Sequence, residues 1–142
     1  MNQLAVIYWS GTGNTEAMAH AVAEGAHSAG ADVKLLSADI ASASDFESCD
    51  KFALGCPAMG DEVLEDSVFE PLYLSMLPLL CGKPAVLFGS YGWGDGQWMR
   101  DWKQRAESDG LILCADPLIV NEAPDEAALA SCRSLGAALA EH

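Results

Sequence analysis

The sequence predicts an α/β fold: one doubly wound, five-stranded parallel sheet with helices on both faces. Three observations carry that prediction. Short apolar runs alternate with amphipathic segments along the whole chain. The central runs are apolar without polar interruption, as expected of strands buried on both faces of a parallel sheet. The chain has 142 residues, enough for one compact domain over residues 1–142 and too few for a closed eight-stranded α/β barrel.

Each element follows from local chemistry. Residues 4–8 (LAVIY) form a continuous apolar run and the first strand. Residues 14–29 read as a helix with Met18, Val22 and Ala26 on one face, and Gly30 is its stop signal. Residues 32–36 are the second strand, and 41–50 a weak segment suited to a short helix or turn. KFALGC, residues 51–56, is the third strand, closed by Pro57. An acidic loop over 59–66 leads into a short helix near 69–76. PAVLFGS, residues 84–90, is the fourth strand, followed by a helix over 97–109 whose Trp98, Trp102 and Ala106 share a face. The last strand spans 111–115 and 118–120, interrupted at Asp116–Pro117. A terminal helix over 125–141 turns Ala128, Cys132, Leu135 and Leu139 inward, with Asp125 as its cap.

Composition excludes several functions. Acidic residues outnumber basic ones 21 to 7, for a formal charge of −14. Such a surface repels nucleic-acid phosphate and anionic membranes and attracts basic partner proteins. No apolar run approaches bilayer length, and the N-terminus lacks the basic and cleavage features of a signal peptide. The five cysteines are widely spaced and match no disulfide or iron–sulfur pattern, so free thiols and a cytoplasmic location are expected. His20, His27 and His142 have no metal-ligand spacing.

Ligands of doubly wound sheets bind beyond the carboxyl ends of the strands, and three unusual loops fall there. The first is Ser10-Gly11-Thr12-Gly13-Asn14-Thr15, between the first strand and its helix. Glycines let amide groups converge on an anion, hydroxyls add donors, and the helix N-terminus adds its dipole. The lysine of a P-loop is absent, and GxGxxG fails because Glu16 takes the third glycine's place. Such a cradle suits a phosphomonoester held by hydrogen bonds alone. The second loop, Cys56-Pro57-Ala58-Met59-Gly60-Asp61-Glu62, places an apolar methionine at a strand end; it serves either as a core anchor or as a soft contact for a flat ring. The third, Ser90-Tyr91-Gly92-Trp93-Gly94-Asp95-Gly96, sets a tryptophan among glycines, where neither helical nor strand periodicity buries it. Together they describe a site for a flat heterocycle with a phosphate tail.

WSGTGNTE, CPAMGDEVLED and GSYGWGDGQWMRDW, in this order and on these elements, resemble the short-chain flavodoxins over essentially the whole chain. Flavodoxins are themselves type examples of the strand order 2-1-3-4-5 with FMN at the switch point, so the order and the cofactor are what the resemblance implies. It implies that Ser10, Thr12, Gly13, Asn14 and Thr15 hold the FMN phosphate with help from Ser90. Met59 and Trp93 flank the ring, Glu62 accepts from flavin N3–H, and the Gly60–Asp61 peptide responds to the redox state at N5. Gly11, Ala58, Tyr91, Gly92 and Gly94 complete the cofactor-binding set, while Pro57 receives no role. The implied function is low-potential one-electron transfer between redox enzymes by a monomeric, non-enzymatic carrier. An electron added to FMN inside so acidic a protein works against its carboxylates. An FMN-dependent quinone or nitro reductase on the same fold is the alternative; a cofactor-free receiver domain lacks its phosphoacceptor cluster and lysine.

Overall fold

The computed structural model describes residues 3–59, 63–92 and 94–142. The parallel strands β1 (Gln3–Tyr8), β2 (Asp32–Ser37), β3 (Lys51–Gly55) and β4 (Pro84–Tyr91) alternate with helices α1 (Asn14–Ser28), α2 (Phe69–Leu80) and α3 (Gln97–Ser108). A 3-10 turn, Ala43–Phe46, fills the weak segment before β3. Two short strands, β5 (Ile112–Leu113) and β6 (Leu118–Asn121), precede α4 (Glu126–Glu141). The sheet order is β2-β1-β3-β4-β5, as expected, with β6 also pairing β4. The single final strand is therefore two pieces on one edge. β5 lies beside Pro84 and Ala85, and β6 beside Phe88 to Tyr91. The break falls at Asp116–Pro117, where proline has no amide to give the ladder.

The twofold period of the strands sorts the core into two layers. Leu4, Val6, Val86 and Phe88 face α1 and α4 on one side of the sheet. Ala5, Ile7, Phe52, Leu54, Ala85 and Leu87 face α2, α3 and the 3-10 turn on the other, with Trp98 and Trp102. Helices α1 and α4 approach so closely that a Cβ on Gly136 would lie 1.9 Å from the Val22 carbonyl oxygen. Gly30, at φ +99, supplies the left-handed turn that ends α1.

One element runs longer than expected. Helix α2 continues past Met76 to Leu80 even though Pro78 sits inside it. Pro78 removes only a bond to the carbonyl of Leu74, a residue 52% exposed to solvent. Leu80, fully buried, draws the last turn onto the sheet. Among the described residues no helix is long and apolar enough to cross a membrane.

Candidate functional site

The order reverses between β1 and β3, so the loops leaving these strands diverge and open a crevice at their carboxyl ends. A pocket of about 340 Å³ lies there, within the range of about 300–1,000 Å³ typical of small-molecule sites. Its walls come from all three sequence-predicted loops: Gly11, Thr12 and Asn14 from the first, Ala58 and Met59 from the second, Ser90, Tyr91 and Gly92 from the third.

Backbone bonds tie these walls together. Trp9 N–H donates to the Gly55 carbonyl at 3.0 Å, and Ala58 N–H to the Ser90 carbonyl at 3.0 Å. β3 and β4 touch so closely here that a Cβ on Gly89 would come within 2.2 Å of the Cys56 carbonyl oxygen. Glycine is required at that crossing. Met59 N–H donates to Val63 O at 2.9 Å in an isolated antiparallel bridge.

The first loop is held from within. Gly13, in the left-handed region at φ 96, precedes α1, and Ser10 Oγ accepts from the amides of Gly13 at 3.0 Å and Glu16 at 3.2 Å. The Asn14 and Thr15 amides, in the first turn, have no acceptor inside the helix and remain donors for an anion. Thr15 is only 1% exposed, and its hydroxyl is hydrogen-bonded to that of Ser90 across 3.1 Å between the oxygens. Ser10, Gly13 and Thr15 thus stand behind the surface that Gly11, Thr12 and Asn14 present. Gly94, in the left-handed region at φ 88, lies outside the pocket lining. Gly60, Asp61, Glu62 and Trp93 lie outside the described residues.

Three further lining residues escaped the sequence-based assignment: Trp9, Pro57 and Glu122. Trp9 adjoins the glycine-rich loop, an apolar ring at a strand end that the motif itself signals. Glu122 follows β6 at φ 59, the one non-glycine residue in the left-handed region among those described. Its amide donates to the Tyr91 carbonyl at 2.7 Å, the bond that holds this conformation. No sequence pattern announces it. Among the described residues no lysine or arginine lines the pocket, and Glu122 is its one charged side chain.

At the start of α2 lies a carboxylate that composition conceals. Glu65, 6% exposed, accepts from the amides of Ser67 at 2.9 Å, Val68 at 2.8 Å and Phe69 at 2.7 Å. Burial alone would raise its pKa, but these donors outweigh it and hold the carboxyl below the ordinary glutamate value. Its own amide donates to Cys56 Sγ at 3.4 Å. Burial pushes the Cys56 thiol up to about 12, so it stays protonated and is no nucleophile at neutral pH.

Donor set and walls fit FMN. The start of α1 offers amides and the Thr12 hydroxyl to a phosphate, and Trp9, Pro57, Ala58, Met59 and Tyr91 make an apolar slot for a flat ring.

The flavodoxin family model matches residues 6–136. The chain is 50% identical over 136 residues to a flavodoxin of Megasphaera elsdenii, covering 96% of this chain and 97% of that one. It is 47% identical over 124 residues to a flavodoxin of Clostridium beijerinckii, covering 87% and 90%. The solution structure of the two-electron reduced M. elsdenii flavodoxin superposes with a TM-score of 0.88 at 49% identity, over 98% of this chain and 99% of that one. These matches favour the carrier over the reductase alternative. The chain belongs to the flavodoxins, FMN-binding electron carriers that serve redox partner proteins and are not themselves enzymes.

Proposed function

We propose that residues 1–142 form one FMN-binding domain that works as a low-potential, one-electron carrier, with FMN in the pocket between the loops of β1, β3 and β4. The observation that carries this reading is a cation-free cradle of amides and hydroxyls beside an apolar slot, at the switch point of the sheet. When bound, FMN supplies a ring that takes up and gives back one electron at a time. The protein's residues bind, orient and shield it.

The amides of Asn14 and Thr15 and the hydroxyl of Thr12 receive the phosphate, and the α1 dipole favours its charge. Ser10 keeps Gly13 and Glu16 in place, and the Thr15–Ser90 pair locks the cradle to β4. Trp9, Met59 and Tyr91 exclude water from the ring and so disfavour added negative charge on it. Glu122 adds a fixed negative charge at the pocket wall. The resemblance adds ring contacts from Gly60, Asp61, Glu62 and Trp93, with Trp93 on the more open side.

The partners that suit a chain of charge −14 are redox proteins with basic surfaces. Five free cysteines suit a reducing cytoplasm, and the carrier acts as a monomer. The test is the absorption spectrum of the purified protein with a titration of the apo form. We expect a yellow protein with one FMN per chain and no steady NADH oxidation in the presence of a quinone. A protein that takes up no FMN would overturn the reading, and sustained NADH–quinone turnover would make it a reductase.

A further inference from the structure

Past Gly55 the pairing of β3 with β4 continues into the second loop. Cys56 N–H donates to the Phe88 carbonyl at 3.1 Å, and Ala58 N–H to the Ser90 carbonyl at 3.0 Å. Between these two, the regular parallel pattern calls for a bond from the Ser90 amide to the Cys56 carbonyl, which point across the same gap. That bond is exchanged for two others. The Ser90 amide donates to Thr15 Oγ1 at 3.3 Å, and the Cys56 carbonyl accepts from Trp98 Nε1–H at 3.2 Å. Thr15 belongs to α1 and Trp98 to α3, helices that cover opposite faces of the sheet. The amide is drawn toward one face and the carbonyl toward the other.

All four residues are buried, so each of these polar groups needs its partner. Gly89 gives the exchange its room. A Cβ there would lie 2.2 Å from the Cys56 carbonyl oxygen and 3.1 Å from the Trp98 ring. On the α1 side, Thr15 meets Ser90 twice, through the Ser90 amide and through the Ser90 hydroxyl at 3.1 Å. On the α3 side, Trp98 lies outside the lining of the cofactor pocket, with its ring 5.5 Å from that of Tyr91.

We infer that Trp98 is a positioning residue for the FMN phosphate and acts on it through the sheet, an inference that rests on the cradle proposed above. The Ser90 amide has one proton and two acceptors within its reach, Thr15 Oγ1 and the Cys56 carbonyl. By occupying that carbonyl, the Trp98 indole leaves the proton to Thr15, which fixes the first turn of α1 against β4. Without the indole N–H, the bare carbonyl takes the proton back into the ladder. Thr15 then keeps only its hydroxyl contact, and the cradle amides of the first turn are held less firmly.

The test uses Trp98→Phe, which keeps an aromatic ring and removes the N–H donor. On the FMN-loaded, ¹⁵N,¹³C-labelled protein, NMR reads the scalar coupling across a hydrogen bond between the Ser90 amide nitrogen and the Cys56 carbonyl carbon. We expect no such coupling in wild type and a coupling in the variant. Calorimetry on the apo forms should show FMN binding about fivefold weaker in the variant, the scale of one hydrogen bond, and riboflavin binding within about twofold of wild type. A loss of packing alone would weaken both flavins alike. Thr15→Val removes the competing acceptor from the other face and should also gain the coupling, so the inference stays open to refutation if Trp98→Phe does not fold. Three outcomes overturn it: a Ser90–Cys56 coupling in wild type, no coupling gained in a folded variant, or equal weakening of FMN and riboflavin by Trp98→Phe. All three leave the cradle reading standing; that reading fails instead if wild type binds the two flavins equally.

Discussion

Removing the buried carboxylate of Glu65 should loosen the start of α2 and destabilise the protein by a definite amount. Its oxygens hold three amides at 2.7–2.9 Å at the start of α2. Hydrogen bonds to charged groups are worth about 1.5–3 kcal/mol each, but the cost of burying the carboxylate offsets much of that sum. In Glu65→Ala, water can replace the bonds to the part-buried Ser67 and Val68 amides. The buried Phe69 amide cannot be served so readily. An orphaned buried donor costs about 1–3 kcal/mol and a lost helix cap about 0.5–2 kcal/mol, so a net loss of about 2 kcal/mol is expected. Glu65→Gln keeps one acceptor oxygen for the Val68 and Phe69 amides but loses the charge and the acceptor of the part-buried Ser67 amide, which water can serve, for a cost of about 1 kcal/mol.

Urea unfolding of the apo protein, followed by circular dichroism, measures both. With a slope of about 2 kcal/mol/M, the Ala variant should unfold about 1 M earlier than wild type. The pH dependence has a fixed sign. The folded pKa lies below the ordinary glutamate value, so the contribution is complete above that value and is lost as pH falls through the folded pKa. The Gln variant should therefore close its gap to wild type between pH 5 and 3, about a unit either side of the carboxylate range. Equal urea midpoints for wild type and Ala at pH 7, or a gap to Gln that widens in acid, would refute the reasoning.

Other consequences follow from single residues. Gly136→Ala gains about 1 kcal/mol of helix propensity but forces a Cβ onto the Val22 carbonyl, so it should lower stability by about 1–3 kcal/mol in the same assay. Glu122→Gln removes the charged side chain of the pocket lining. At ~10 Å and an effective dielectric of 20–80 this raises the one-electron potentials of bound FMN by ~20–70 mV in a redox titration. Electron transfer to a basic protein should slow as salt rises, because steering is screened over about 8–10 Å at physiological ionic strength; a rate constant flat with salt would leave the acidic surface a solubility role.

What the sequence reveals about this fold tracks how local the cause is. Strands β1, β3 and β4 are visible because burial on both faces requires uninterrupted apolar runs, and α1 because Met18, Val22 and Ala26 recur at helical spacing. Gly13 and Gly30 mark the ends of α1 through positive φ, a property their own backbone dictates. The end of α2 was hidden because the cost of Pro78 depends on a solvent-facing carbonyl, while the gain depends on Leu80 meeting the sheet. In the site, Gly11, Thr12, Asn14, Met59 and Ser90 announce themselves through loop composition. Glu122 and Glu65 do not, because their roles arise from partners distant in space or in conformation: the Tyr91 carbonyl for one, the first turn of α2 for the other. Trp9 lay within the motif, yet its place on the pocket wall depends on Trp9 N–H bonding to Gly55 across two strands.

The most direct test of a cradle that binds phosphate without a cation is a paired calorimetric titration of the apo protein with FMN and with riboflavin. The two ligands share the ring and differ at the phosphate, which on the proposed reading would meet the amides of Asn14 and Thr15 and the Thr12 hydroxyl. Loss of two or more charge-assisted hydrogen bonds predicts FMN at least about 100-fold tighter than riboflavin. Thr12→Ala should narrow that ratio by weakening FMN alone. Equal affinities for the two flavins would contradict the phosphate cradle at the start of α1.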